Sequence, residues 1–105
     1  MSDASVSDAF RLFLDECPRQ AAAWMHAVEN LAQASALDEK TAALAYLAVL
    51  AALRLDSGVP FHVAHAKRAG ASREEVLSAV LIGLPAAGNG VTAVLPAALR
   101  AYESA

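Results

Sequence analysis

Cysteine is almost absent from this sequence, and so is any concentration of positive charge. One cysteine among 105 residues cannot form an internal disulfide, so we expect a cytoplasmic protein. The formal net charge is -3. Lys67 and Arg68 are the only adjacent basic residues, which argues against a nucleic-acid-binding protein.

The sequence also lacks the long apolar run of a membrane protein. Its most apolar stretch, residues 42–53, is well short of the roughly 20 residues that a transmembrane helix needs. The N-terminal Met-Ser-Asp-Ala segment has neither the positive charge nor the apolar stretch of a signal peptide. We therefore expect neither membrane insertion nor secretion.

Apolar residues, by contrast, are abundant. They make up 57% of the chain, with a mean hydropathy of +0.40, whereas average usage is about 45–50%. Much of the excess is alanine, which favours helices and lets them pack closely. A chain this short buries only a modest core, so we expect part of this surface to be buried between the subunits of a homo-oligomer.

The spacing of the apolar residues predicts an all-α fold, a single domain over residues 1–105 with about six helices and no strands. The predicted helices cover residues 3–15, 18–35, 38–54, 60–69, 72–84 and 91–102. Asp38 is expected to cap the third helix, and Ser72 with Glu75 to form a capping box at the fifth. The third helix is apolar on every face, so we expect it to be the buried centre. Pro96 falls in the first turns of the last helix or kinks it.

Three features of the middle of the chain occur together in one known family. Leu-Asp-Glu-Lys-Thr opens the long apolar helix at residue 37, His62 stands eight residues before Gly70, and Gly70 begins the segment Gly-Ala-Ser-x-Glu-Glu-Val. In this order the sequence resembles the alkyl hydroperoxidase D / carboxymuconolactone decarboxylase family, closely over residues 37–78 and loosely over a core of about 37–102. The resemblance implies a helical bundle that assembles as trimers or as hexamers built from them.

The resemblance also shows what this chain lacks. Dithiol members of the family use a glutamate, a Cys-x-x-Cys pair and a histidine, and the first three positions fall here at Ala43, Leu55 and Gly58. Only His62 remains of that relay. Peroxide reduction by a dithiol needs one thiolate to attack and a second thiol to resolve the sulfenic acid. The sequence therefore does not support a dithiol peroxidase, and we predict no cofactor.

The decarboxylase branch of the family needs no cysteine and acts on a small acidic lactone. The resemblance implies that His62 would transfer a proton, and a histidine suits that role near neutral pH. Tyr46, in the apolar third helix, would assist it. Arg54 and Arg68 are candidate partners for a substrate carboxylate by their nearness in sequence. The segment 88–98 is only vaguely similar to a Gly-x-Pro-Ala segment of that branch.

Other residues have both a functional and a structural interpretation. His65 lies one helical turn after His62 and, with Phe61, is a candidate ligand contact, although helix packing is the more common explanation of such residues. A metal site would need a third ligand, for which Asp56 is the only nearby group, so we predict none. The aromatic residues Phe10, Phe13 and Trp24 would wall an apolar pocket or, more commonly, a core.

Cys17 stands before Pro18 and Arg19, at the start of a predicted helix. Such a setting favours a reactive thiol. A lone cysteine is more often a small buried or incidental residue, so the role of Cys17 stays open.

Two functions are compatible with the sequence. In one, an enzyme uses His62 for acid–base chemistry on a small molecule. In the other, the same fold is a non-catalytic oligomeric module that binds a small molecule or a partner. A cavity at His62, with Tyr46 or Arg54 converging on it, favours the enzyme. A packed-away or exposed His62 favours the module.

Overall fold

A computed structural model of the chain describes residues 5–105, which form α-helices joined by short turns. The helices are α1 (Asp8–Glu16), α2 (Pro18–Ala34), α3 (Glu39–Leu53), α4 (Val59–Arg68), α5 (Arg73–Leu81), α6 (Leu84–Ala87) and α7 (Leu95–Ser104). Since α6 has only 4 residues, the expected all-α fold of about six full helices is confirmed. No strand occurs in this part of the chain. None of its helices combines the length and apolarity needed to cross a membrane.

The core lies among α3, α4, α5 and α7, which we call the bundle. Helix α4 packs against α3 and α7, and α5 packs against the same two helices. The buried side chains are almost all valine, alanine and leucine, which are small enough to let these helices approach closely. They are Ala43, Leu47, Leu50, Ala51, Val59, Val63, Ala66, Ala71, Val76, Val80, Val91, Val94 and Ala98.

The ends of the bundle helices follow the capping residues predicted from the sequence. Asp38 accepts a hydrogen bond of 2.8 Å from the N–H of Thr41 and starts α3. Gly70, at φ +100°, follows α4 in a backbone conformation that favours glycine. Ser72 and Glu75 form a complete capping box at α5. These local signals determine where α3 and α5 begin and where α4 ends.

The first and last helices differ from the sequence prediction. Asp3, the expected start, lies outside the described residues; α1 begins at Asp8 because the Ser7 side chain accepts from the Phe10 N–H at 3.2 Å. Residues 91–94, expected to open the last helix, belong instead to the 3₁₀ turn Asn89–Val94. Pro96 stands in the first turn of α7, where its missing N–H costs no helical hydrogen bond.

Helix α3 is not buried on every side, contrary to its expected position at the centre of the fold. Leu47 and Ala51 face the core, at 1% and 0% exposure. Tyr46, Val49 and Leu53 lie three and four residues apart, so they share one face, and they are 50%, 52% and 63% exposed. The single chain therefore leaves one apolar face of its central helix uncovered.

Helices α1 and α2 form a separate hairpin, which we call the arm (residues 5–35). They pack mainly against each other, and neither contributes to the core described above. Ala21 is the single buried residue of α2, although that helix has 17 residues. Phe10 and Phe13, expected to line a pocket or a core, pack against each other here, with ring centroids 6.1 Å apart. The side chains of the arm are thus little buried by the bundle of the same chain.

Candidate active site at the α3–α4 junction

A tight reversal between α3 and α4 places His62. Arg54 ends α3 in the left-handed conformation, at φ 59°, and the Leu55 N–H bonds to the Leu50 carbonyl at 2.9 Å. A 3₁₀ turn, Asp56–Gly58, then leads into α4. Val59 and Val63, both fully buried, anchor the first turns of α4 and hold His62 beside α3.

His62 is the centre of an aromatic cluster with Tyr46 and Phe61. The ring centroids of Tyr46 and His62 are 4.4 Å apart with an interplanar angle of 32°. The Phe61 ring meets His62 edge-on, at 5.2 Å and 78°. His62 is partly buried, whereas Tyr46 is 50% and Phe61 36% exposed. The structure thus brings together three residues that the sequence singled out, and leaves their outer side open.

The surroundings of His62 lower the pKa of its imidazole below the ordinary value. The larger cause is burial, which removes water from the charged form, and the second is the like charge of His65 when that residue is protonated. A lowered pKa keeps His62 neutral at pH 7, in the form that can accept a proton.

His65 lies one turn further along α4 but is bound elsewhere. Its Nε2 is 3.3 Å from Oε2 of Glu39, at the start of α3. The sequence identified Glu39 only as a residue at the start of a helix. Its contact with His65 could not be predicted, because the two residues are far apart in the sequence. Among residues 5–105 no group of three or more His, Cys, Asp or Glu side chains could hold a metal.

Arg54 extends toward the turn before α7 rather than along α4. A Cβ placed on Gly90 would lie 2.6 Å from Nη1 of Arg54, so the guanidinium rests against the backbone of that turn. Only a glycine there leaves room for this position of the side chain. A contact between Arg54 and a ligand at His62 remains a prediction.

Three open clefts stand out among the described residues, and His62 lines none of them. One, of about 480 Å³, lies on the arm between Phe13 and Trp24. A second, of about 680 Å³, lies between α4 and α7 at Lys67 and Arg68. The third, of about 500 Å³, lies between α3 and α5. In the single chain, His62 therefore lies at a partly exposed surface and not in one of these clefts.

Comparison with protein families identifies the family of this chain. The family model described as carboxymuconolactone decarboxylase family matches residues 18–103, and thus includes α2 and the whole bundle. The chain belongs to this family. No curated protein and no solved structure is similar enough to be matched to it.

Gly58, the position at which the family resemblance places a cysteine, lies next to His62. A Cβ on Gly58 would lie 3.9 Å from Cδ2 of His62, so a side chain at this position would touch the imidazole. Leu55 is 49% exposed and Ala43 is buried. Cys17 lies in the arm, between α1 and α2. Gly58 therefore places no reactive side chain beside His62.

Proposed function

We propose that this family member acts on a small carboxylated molecule, with His62 as its proton-transfer group and Tyr46 beside it. The observation that carries the proposal is the partly buried His62 ring, stacked on Tyr46, whose pKa is held below the ordinary value. An ionisable group with a shifted pKa in a defined aromatic setting is typical of functional sites. Phe61 supplies an apolar contact for the substrate.

Decarboxylation needs a proton donor, and an imidazole such as that of His62 can act as one. Loss of carbon dioxide breaks a carbon–carbon bond, leaves the electron pair on the substrate carbon, and requires one proton to be delivered there. The neutral imidazole takes up this proton from water and delivers it to that carbon, and burial favours the delivery because it destabilises the charged form of His62. Arg54, the positive group at the end of α3, and His65, one helical turn from His62 on α4, are the proposed contacts for the substrate.

A dithiol mechanism is not part of the proposal. The sequence has one cysteine, and it lies in the arm. Leu55 and Gly58 take the positions at which the family resemblance places the thiols. The cytoplasmic location expected from the cysteine content stays a prediction.

The alternative is a non-catalytic oligomeric module that uses the same surface to bind a small molecule or a partner. The observation that favours it is the openness of the site. Tyr46 is half exposed beside His62, and His62 lines none of the three clefts described above.

The two functions are separated by offering the protein a carboxylated muconolactone and measuring carbon dioxide release. We expect turnover by the wild type and a loss of roughly 10²–10⁴-fold in kcat for His62→Ala, the usual contribution of an acid–base group. His26→Ala is the matched control, since His26 is exposed on α2, and should retain full activity.

The binding module predicts a different result. The lactone would then perturb the His62 resonances in NMR spectra without any turnover. Equal turnover by wild type and His62→Ala would contradict the proposed role of His62.

A further inference from the structure

The arm carries an apolar surface that its own chain does not cover. On α2, residues 24, 28 and 31 recur at helical spacing and share a face. Trp24 is 56%, Val28 39% and Leu31 70% exposed. Between Arg19 and Glu29 the helix has no formally charged residue. A helix with an apolar stripe normally buries it against another element, and none of the elements within residues 5–105 covers this one.

The bundle carries a second uncovered apolar surface, at the candidate active site. The α3 face of Tyr46, Val49 and Leu53 is half exposed or more, and Phe61 of α4 adds to it at 36% exposure. Between Lys40 and Arg54, α3 has no charged residue. Depletion of charge with enrichment in aromatic residues distinguishes the centres of protein–protein interfaces from ordinary surface.

The chain exposes more surface than a compact monomeric protein of the same mass. The chain exposes 6823 Å², whereas the relation for monomeric proteins gives roughly 5,600 Å² at 10.9 kDa. The excess of about 1,200 Å² is more than the roughly 800 Å² that each partner contributes to a standard interface. The radius of gyration, 14.0 Å, also exceeds the value of about 13 Å for a compact domain of this length.

We infer that a second copy of this chain covers the site: the arm of one protomer lies on the α3–α4 face of its neighbour, with α2 against Tyr46, Val49 and Phe61. Trp24 of the partner subunit then closes the open side of the His62 cluster. The active site is therefore incomplete in one chain and is formed between two. This inference deepens the proposed function and rests on it for the role of His62, but not for the interface itself.

Exchange of arms is favoured over pairing of two arms because it uses both uncovered surfaces. Pairing of arms would bury the α2 stripe but leave the α3 face, with its half-exposed tyrosine, in water. In the exchange each protomer gives one arm and receives one. Such a head-to-tail contact is heterologous, so the copies form a closed ring if the rotation between them closes.

Trp24 makes this inference testable, since it is the single tryptophan of the chain. The experiment compares wild type with Val49→Asp and Leu31→Asp by analytical ultracentrifugation and by tryptophan fluorescence. Val49 and Leu31 are exposed in the protomer, so both variants are expected to fold, which circular dichroism checks. We expect both to sediment as single chains of 10.9 kDa, and the emission of Trp24 to shift to longer wavelength in both.

The decisive result is the response of Trp24 to Val49→Asp, because the substitution is on the bundle and the reporter is on the arm. Asn30→Asp is the matched control: it adds the same charge to α2 on the side away from the stripe, and should keep the mass and emission of the wild type. A monomeric wild type, or a Val49→Asp variant that keeps the wild-type mass and emission, would overturn the inference. Neither readout depends on turnover, so a failure of the catalytic proposal would leave this result standing.

Discussion

At the residue scale, the proposed function depends on the environment of one imidazole, that of His62. By the family resemblance, the other three positions of a dithiol relay with His62 fall at Ala43, Leu55 and Gly58. The stacking of His62 on Tyr46 puts an aromatic ring where it removes water from the charged form. What distinguishes His62 from the exposed His26 is therefore its burial.

The titration of His62 is the prediction at this scale. In the folded protein we expect its pKa below the ordinary value of 6.5, for the causes already given. His65→Asn removes the like charge and should raise the pKa of His62, though not to 6.5, because burial is the larger cause. The imidazole proton shifts measured by NMR from pH 5 to 8 check this. An unshifted His62 in the wild type would contradict the role of burial.

At the scale of single elements, the bundle helices are defined by their ends. The buried Val76 and Val80 of α5 determine which face of the helix packs inward. They do not determine where the helix begins. The capping box at Ser72 satisfies backbone N–H groups that the first turn leaves without helical partners. It thereby sets the start of α5, and Lys40 of α3 adds an ion pair to Glu75 at 3.0 Å.

Removal of this cap gives the prediction for the element scale. Ser72→Ala should lower the free energy of unfolding by about 0.5–2 kcal/mol, the usual contribution of an N-cap side chain. Ser78→Ala, at an exposed position inside α5, is the control and should have almost no effect. Urea unfolding of all three proteins at one concentration measures the difference. Equal losses in both variants would mean that the box does not stabilise α5.

At the scale of the whole molecule, the arm and the bundle behave as two parts joined by a short exposed connection. The core is complete within residues 43–98, and the arm adds little burial of its own. If the arm docks on another copy, assembly contributes to stability, and mass action makes that contribution depend on protein concentration.

The prediction at this scale concerns thermal unfolding. We expect the Tm of the wild type to rise with protein concentration, since unfolding then includes dissociation. Val49→Asp should unfold at a Tm that is independent of concentration. Differential scanning calorimetry over a hundredfold range of concentration measures both. A wild-type Tm that does not move with concentration would be evidence against a stable assembly.

The sequence by itself determined the all-α class, the helices α3, α4 and α5 and the caps at their ends, because apolar spacing and capping chemistry are local. It also indicated His62, Phe61 and Tyr46, through a family spacing and a tyrosine in an apolar helix. Only the tertiary structure decided that these three rings meet, that Arg54 lies against Gly90, and that His65 contacts Glu39, since such contacts depend on how distant segments pack. It also showed that α3 is exposed on one face, because periodicity can mark a residue as apolar but cannot tell whether its own chain covers it.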